Sequence, residues 1–568
     1  MGLAASGLGG LARRPPAHHQ AVGAASIYKL DSLGVLILSS DRRERPVYPE
    51  LVEGSKDEGV LANARGQPPF PRLPLADCLL PRKRQLPKTR PHACRRANPS
   101  PLHNPKREST MKHAILSLGA SLLAACASAP QPATAQPAFK AEGKTLRQLY
   151  EHLHANPELS FQEKNTSAIL AAEMKRLGFT VTTGLGDAWV KARAQRDYGR
   201  IEDGVGGYGF VAVLENGPGP TLMIRADMDA LPLVEKTGLA YASKARDTAW
   251  SGEESGVMHA CGHDIHMTVW IGTARELAAR RSEWKGTLVM IAQPAEEIGL
   301  GALSMIEDGL FTRFPKPDHV IALHDNAALP AGALGVGSGY LMANVDSVDI
   351  KVTGVGGHGA YPQDTKDPIV IAARIVTTLQ TLVSREIAPD DAGVVTVGAF
   401  NGGFKHNIIP DEVDLQLTVR SFADATREKL LTGIERIARA EAMAAGLDPD
   451  TAIDMRVRAD ATPSLYNDPA LVARVTTALR KEFDARAIHT ATPSMGGEDF
   501  ARYGRTLERV PIMLLWLGAV SQEKFDAAQK PGGKPLPALH SSEFAPDPDP
   551  TIAAGVKAMT AAARELLK

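Results

Sequence analysis

"TLMIRADMDALPL", residues 221–233, opens on an apolar run and closes on a cluster of carboxylates. The run is apolar enough to lie in the middle of a sheet, and "DMDA" follows where the strand should end. The layout recurs twice. "GTLVMIAQPAEE" runs from a strand into a loop at Glu296 and Glu297, and "DHVIALHDN" does the same at His324. Around these, "LRQLYEHLHANPELSFQEKNTSAILAAEMKRLGF" carries two helices ending at Gly178, and "MTVWIGTARELAAR" reads as another helix. Strands alternating with helices predict an α/β layered domain with a mostly parallel central sheet. Ligands of such sheets are met beyond the carboxyl ends of the strands, where these polar clusters fall.

The pattern changes between 344 and 459. "VDSVDIKVTG" alternates as a strand and "DPIVIAARIVTTLQTLVSRE" is a long amphipathic helix. "GVVTVGAF" and "EVDLQLTVRS" are strands, "TREKLLTGIERIARAEAMAAG" is a second helix and "AIDMRVRA" a last strand. The order βαββαβ predicts a ferredoxin-like unit, four strands with two helices on one face. It reads as an insertion dividing a catalytic domain into residues 140–343 and 460–568, because "PIMLLWLGA" and a closing helix resume the earlier character.

The 64 basic and 64 acidic residues balance, so nothing global suggests nucleic acid as a partner. No apolar run approaches the roughly 18 residues that cross a bilayer. Residues 1–110 are rich in Pro and Arg without sustained periodicity, and read as a disordered arm or a non-native extension. "MKHAILSLGASLLAACASAPQPATA", residues 111–135, has the basic start, apolar stretch and small residues of a secretory signal. "LAAC" offers a lipid attachment at Cys126, whereas "ATA" offers ordinary cleavage. Either route predicts export to a periplasm, soluble or lipid-anchored.

"VMHACGHDIHMTVW", residues 257–270, sets a thiol and three imidazoles within eight positions. Of four cysteines, three lie in the first quarter of the chain, which leaves Cys261 without an obvious disulfide partner. Thiolate and imidazole bind zinc-like cations, and carboxylates complete two-metal sites. One cysteine is too few for a zinc finger. A hydrolase using Cys261 as nucleophile is conceivable but leaves Glu296 and Glu297 idle.

Seven blocks, "RADMDALP", "MHACGHDIHM", "QPAEE", "GGHGAYP", "HNIIPDEVDLQLTVR", "MGGEDF" and "LHS", stand in this order from residue 225 to residue 541. They resemble the aminoacylase–carboxypeptidase metallopeptidases, in the branch of auxin-conjugate amidohydrolases and hippurate hydrolase. The resemblance runs from about Thr145 to the C-terminus. It implies two divalent cations per chain, Zn or Mn foremost with Co or Ni also used, bridged by Cys261. His263 and His324 would complete one ion's ligands, and Glu297 and His540 the other's. Asp229 would orient a ligand imidazole, whereas Asp227, His259 and His266 receive no ligand role. Glu498 would stand in the site wall. His358 would stabilise the oxyanion from a lid, across a homodimer formed by the inserted domain, and Asn407 and Arg420 would bind substrate. No transmembrane span or nucleic-acid partner is implied.

The chemistry agrees with this scheme. Amide hydrolysis needs an activated water and a base that takes its proton and returns it to the leaving nitrogen. Glu296, beside ligand Glu297, is the candidate base. The expectation is a metal-dependent amidohydrolase acting on N-acyl amino acids or similar small conjugates. The alternatives are a dipeptidase or carboxypeptidase of the same fold, and a metal-stabilised binding protein without turnover.

Overall fold

The computed structural model describes residues 140–199, 204–249 and 252–568. The extension, the signal segment and Cys126 lie outside the described residues.

The chain enters through helices α1 (Leu146–Ala155) and α2 (Lys164–Arg176). Thr145 and Gln148 close a reciprocal capping box on α1, satisfying amides that the first helical turn leaves free. Strands β1 (Thr180–Leu185), β2 (Gly209–Asn216) and β3 (Thr221–Asp227) follow, with α3 (Asp187–Tyr198) between the first two. Then come α4 (His263–Ala279), β4 (Gly286–Gln293), β5 (His319–Pro330) and β6 (Leu334–Val336).

A second sheet is built from β7 (Asn344–Thr353), β8 (Gly393–Asn401), β9 (Glu412–Ser421) and β10 (Ile453–Val457). Helix α5 (Pro368–Thr381) precedes β8 and α6 (Asp424–Ala444) follows β9. Strand order is β8-β9-β7-β10, antiparallel throughout. Val348, Ile350 and Val352 of β7 alternate into the same core as Ile371 and Ile375 of α5 and Leu430 and Ile434 of α6. This sheet therefore has its own apolar interior. The chain returns to the large sheet with β11 (Ile488–Thr490) and β12 (Ile512–Val520), and closes on α7 (Pro548–Leu566).

The large sheet has eight strands in the order β1-β2-β4-β3-β5-β12-β6-β11. It is mixed, which corrects the expectation of a mostly parallel sheet. β4, β3, β5 and β12 run parallel to one another and β6 runs parallel to β11, but the pairs β1–β2, β2–β4 and β12–β6 are antiparallel. The reason lies in the link 217–220, "GPGP", between β2 and β3. A parallel return needs a crossover of a dozen or more residues, and this link is far too short for one. The chain doubles back instead, and β4 inserts between the two strands.

Both faces of the sheet are covered. Leu288, Met290 and Ala292 of β4 enter one core, and Val289 and Ile291 enter the other. That two-sided burial is why these strands read as continuous apolar runs rather than alternating ones. Helix α4 is buried over most of its length. Its Gly272 meets Val556 of α7, and Gly555 of α7 meets Val269, so the two helices approach closely through glycines.

Candidate metal centre

The loops at one end of the parallel strands carry the polar clusters. Asp229 follows β3, Glu296 and Glu297 follow β4, and His324 sits within β5 opposite Trp516 of β12. Cys261 and His263 flank Gly262, whose φ of 79° is left-handed. A Cβ at Gly262 would overlap the Asp325 carboxylate, so only glycine fits. α4 begins at His263, four residues before the stretch that the sequence reads as a helix. His540 arrives from the far end of the chain, itself at φ 66°, its N–H donating to Ala260 O at 2.8 Å.

These elements converge on one sulfur. His540 Nε2 lies 3.3 Å from Cys261 Sγ, and His324 Nε2 lies 3.5 Å from it. Two donor triads result, Cys261–His263–His324 and Cys261–Glu297–His540. Within each, the candidate ligand atoms lie within 4.8 Å of one another.

Hydrogen bonds to the other ring nitrogens select which atoms are free. His263 Nδ1 faces Asp229 O at 2.8 Å and His324 Nδ1 faces Asp325 O at 2.8 Å. A carbonyl can only accept, so Nδ1 carries the proton and Nε2 keeps its lone pair for a cation. His263 Nε2 and Glu297 Oε1 are buried without a hydrogen-bond partner among the described residues. Orphaned buried lone pairs of this kind are what a metal satisfies. His266 differs. Its Nδ1 faces Asp227 at 2.7 Å and its Nε2 accepts from Asp325 N at 2.9 Å, so neither nitrogen is spare. His259 is buried, its pKa pushed down to about 4 chiefly by burial, and it does not line the cavity.

The electrostatics point the same way. Burial and the Glu297 charge push the Cys261 thiol up, and burial with the charges of Glu498 and Glu297 pushes Glu296 up. Burial first, partly countered by His263, raises Glu297 to about 8. Burial and mutual repulsion among these acids are what bound divalent cations would relieve. The residues present therefore fit such ions.

Asp229 does more than the sequence implied. His263 bonds to its backbone carbonyl, with the carboxylate at 3.4 Å. The carboxylate oxygens accept the backbone N–H of Glu296 at 3.1 Å and of Glu297 at 3.0 Å, and Ser160 donates to it at 2.6 Å. Arg225 carries a sequence signal of its own, a charge inside an apolar strand. It is fully buried and donates to Asp227 at 2.6 Å, Glu498 at 2.9 Å and Asp499 at 3.2 Å. The guanidinium holds Glu498 in the wall, where Glu498 also accepts from Phe500 N.

A cavity of about 920 Å³ opens over this cluster, lined by Cys261, Glu296, Glu297, His324, Arg420 and His540 among others. Arg420 is half-buried on β9 and donates to Met495 O at 3.2 Å. His358 and Asn407 do not line it. They sit together on the inserted sheet's exposed ribbon, where His358 pairs with Ile408 and Gly359 N donates to Asn407 O. The sequence joined these two residues to the site, and the single chain does not.

A mixed sheet whose strand-end loops bring thiol, imidazole and carboxylate donors to one cavity is the architecture of a metallohydrolase. The chain belongs to peptidase family M20/M25/M40, whose family model matches residues 223–532, and it is a metal-dependent amidohydrolase. It is similar to an N-acetyldiaminopimelate deacetylase of Leuconostoc citreum, 36% identical over 388 residues covering 68% of this chain and 91% of that one. It is 35% identical to an N-acetyl-L-cysteine deacetylase of Bacillus subtilis, covering 66% and 80%. A solved structure from Bacillus subtilis, a dinuclear metal binding peptidase from the M20 family, matches at TM-score 0.57 and 28% identity, covering 74% and 97%. The first two of these relatives are named as deacetylases of N-acetyl amino acids, not as auxin-conjugate hydrolases.

Proposed function

We propose that this chain is an exported two-metal amidohydrolase that removes the acyl group from N-acyl amino acids, with N-acetyl substrates the first to test. The observation that carries the reading is the sharing of Cys261 by two donor triads. Cys261 would bridge the ions, His263 and His324 would complete one, and Glu297 and His540 the other. When bound, the ions would polarise the amide carbonyl and make a water acidic enough to attack near neutral pH.

Glu296 is free for proton work. Its Oε2 stands 4.0 Å from His263 Nε2, and its Oε1 faces Asp499 N at 3.4 Å. It takes the proton of the attacking water and delivers it to the leaving nitrogen. Arg420 offers its guanidinium to the substrate carboxylate. His358 and Asn407 would reach the cavity from a second copy, through a homodimer of the inserted sheets. Val355, Tyr361, Val370, Phe400, Phe404 and Ile408 are exposed on that unit, Phe404 at 87%, and supply an apolar surface for the contact. Export rests on the leader read at residues 111–135, and intact mass of the native product tests it. The branch assignment rests on Cys261, which stands where that branch carries its bridging cysteine.

The test is a panel of N-acetyl, N-benzoyl and N-fatty-acyl amino acids assayed with added Mn or Zn. Hydrolysis of at least one class, abolished by chelation and restored by metal, is expected. Activity that survives chelation but dies on thiol alkylation would replace this reading with a cysteine nucleophile.

A further inference from the structure

The acidic turn that follows β4 is held from below by two buried carboxyl groups. The N–H groups of Glu296 and Glu297 donate to Asp229. The N–H of Ala295, one residue earlier, donates to Glu163 Oε1 at 2.8 Å. Three consecutive amides therefore have carboxyl acceptors, and Ala295 itself is at φ 51°, where a side chain strains the backbone. The same Glu163 oxygen accepts Phe161 N at 3.0 Å, and Phe161 is also left-handed at φ 62°. One carboxyl oxygen of Glu163, 132 positions from Ala295 in sequence, thus joins two strained residues.

Glu163 occupies the position where a residue ordinarily caps a helix. It is the N-cap of α2, yet its side chain makes no capping bond. Glu158 serves that end instead, accepting Asn165 N at 3.1 Å and Thr166 N at 2.8 Å. Glu163 is thereby released from helix duty and turned toward the turn that carries the two glutamates. It is fully buried, and its Oε2 has no hydrogen-bond partner among the described residues.

We infer that Glu163 is a positioning residue, which fixes the left-handed Ala295 and through it the direction in which Glu296 and Glu297 face. The inference rests on the reading of Glu296 as base and Glu297 as ligand. Burial first, and the Asp229 charge second, push Glu163 well above the ordinary carboxyl range. The role asked of Glu163 is that of an acceptor for two amides, which an uncharged amide carbonyl can also fill.

The experiment compares Glu163→Gln, Glu163→Leu, Glu163→Leu with Ala295→Gly, and Glu296→Gln as a control. Each is measured for kcat and KM, for Mn affinity after chelation, and for Tm. Glu163→Gln should stay within about twofold of wild type throughout, because its carbonyl still accepts both amides. Glu163→Leu should lower kcat about a hundredfold with KM within about twofold, since a small misplacement of a catalytic group costs that much. Mn affinity should weaken about tenfold as Glu297 loses its aim. Adding Ala295→Gly should recover about tenfold in kcat, because glycine adopts the left-handed conformation unaided.

A Glu163→Leu enzyme with lowered Tm but normal kcat and Mn affinity would overturn the inference, leaving only a structural role. Damage from Glu163→Gln equal to that from Glu163→Leu would overturn it too. Should the leucine variant not fold, Ala295→Val with Glu163 intact tests the same turn. It should lose at least about tenfold in kcat, and an unchanged kcat would refute the idea. An active Glu296→Gln would sink the underlying reading instead, whereas an inactive one beside a normal Glu163→Leu would sink this inference alone.

Discussion

Cys261 Sγ and His540 Nε2 lie 3.3 Å apart across 279 positions of sequence. The contact joins the two parts of the large-sheet unit that the second sheet interrupts. His540 holds its place at a positive φ, a cost that a ligand role would offset and a mere surface histidine would not.

Cys261→Ser should therefore cost most of the bound metal. Serine keeps the size but offers a harder, weakly acidic oxygen in place of a soft thiolate. Because Cys261 belongs to both triads, both ions should weaken together. Elemental analysis after gel filtration decides. A serine variant with undiminished stoichiometry would remove the cysteine from the ligand set.

Much of this centre was legible because polar residues stood directly after apolar runs, as at Glu296 and His324. Strand ends in a layered sheet share one edge, so residues read separately in the sequence meet in space. Sheet direction was not legible. It depended on the four-residue link 217–220, a length signal that apolar pattern does not carry. Glu163 was equally hidden, because "LSFQEKNT" reads as an ordinary helix entry. Only the fold shows that Glu158 caps α2 and frees Glu163. His358 and Asn407 had motif signals, but no pattern within one chain reports which surface a second copy covers.

Stability should fall as pH rises from about 6.5 to about 9, through His154. Burial opposes its charge, but hydrogen bonds to Asp264 at 2.7 Å and Glu235 at 3.1 Å prevail and raise its pKa to about 9. A raised folded pKa means the stabilisation is complete below the unfolded value near 6.5 and is lost as pH climbs through 9. Its ceiling is on the order of 3 kcal/mol, from about 1.4 kcal/mol per unit. The Tm deficit of His154→Gln relative to wild type should thus be large at pH 6 and small at pH 9.5. Equal deficits at both would show that packing, rather than charge, is what His154 contributes.

A homodimer should be seen by light scattering, and Phe404→Asp should dissociate it. Phe404 is the most exposed of the aromatic residues on the inserted unit. An isolated exposed aromatic needs no explanation, but Phe400 and Ile408, four residues to either side of it in sequence, are exposed as well. The monomeric variant should lose activity with its metal content intact, because His358 and Asn407 do not line the cavity of their own chain. A fully active monomer would mean that these two residues serve neither copy's site.

Glu296→Gln and Glu297→Gln should fail in different ways, although the residues are adjacent and chemically identical. Glu296 is the base in this scheme, and glutamine keeps its size and carbonyl while losing the ability to take a proton. Removal of a general base costs about 10²–10⁴-fold, and a residue that serves first as base and then as acid belongs at the upper end. Metal content and KM should stay near wild type. Glu297 Oε2 faces His540 Nε2 at 3.5 Å, and its Oε1 is buried without a hydrogen-bond partner among the described residues. Its amide should weaken the metal that His540 helps to hold, and excess Mn should restore part of the rate. Added metal should do nothing for Glu296→Gln. If Glu296→Gln kept more than about a tenth of the wild-type kcat, it would not be the base. If excess Mn rescued both variants alike, the two carboxylates would share one role, and the division of labour between them would be wrong.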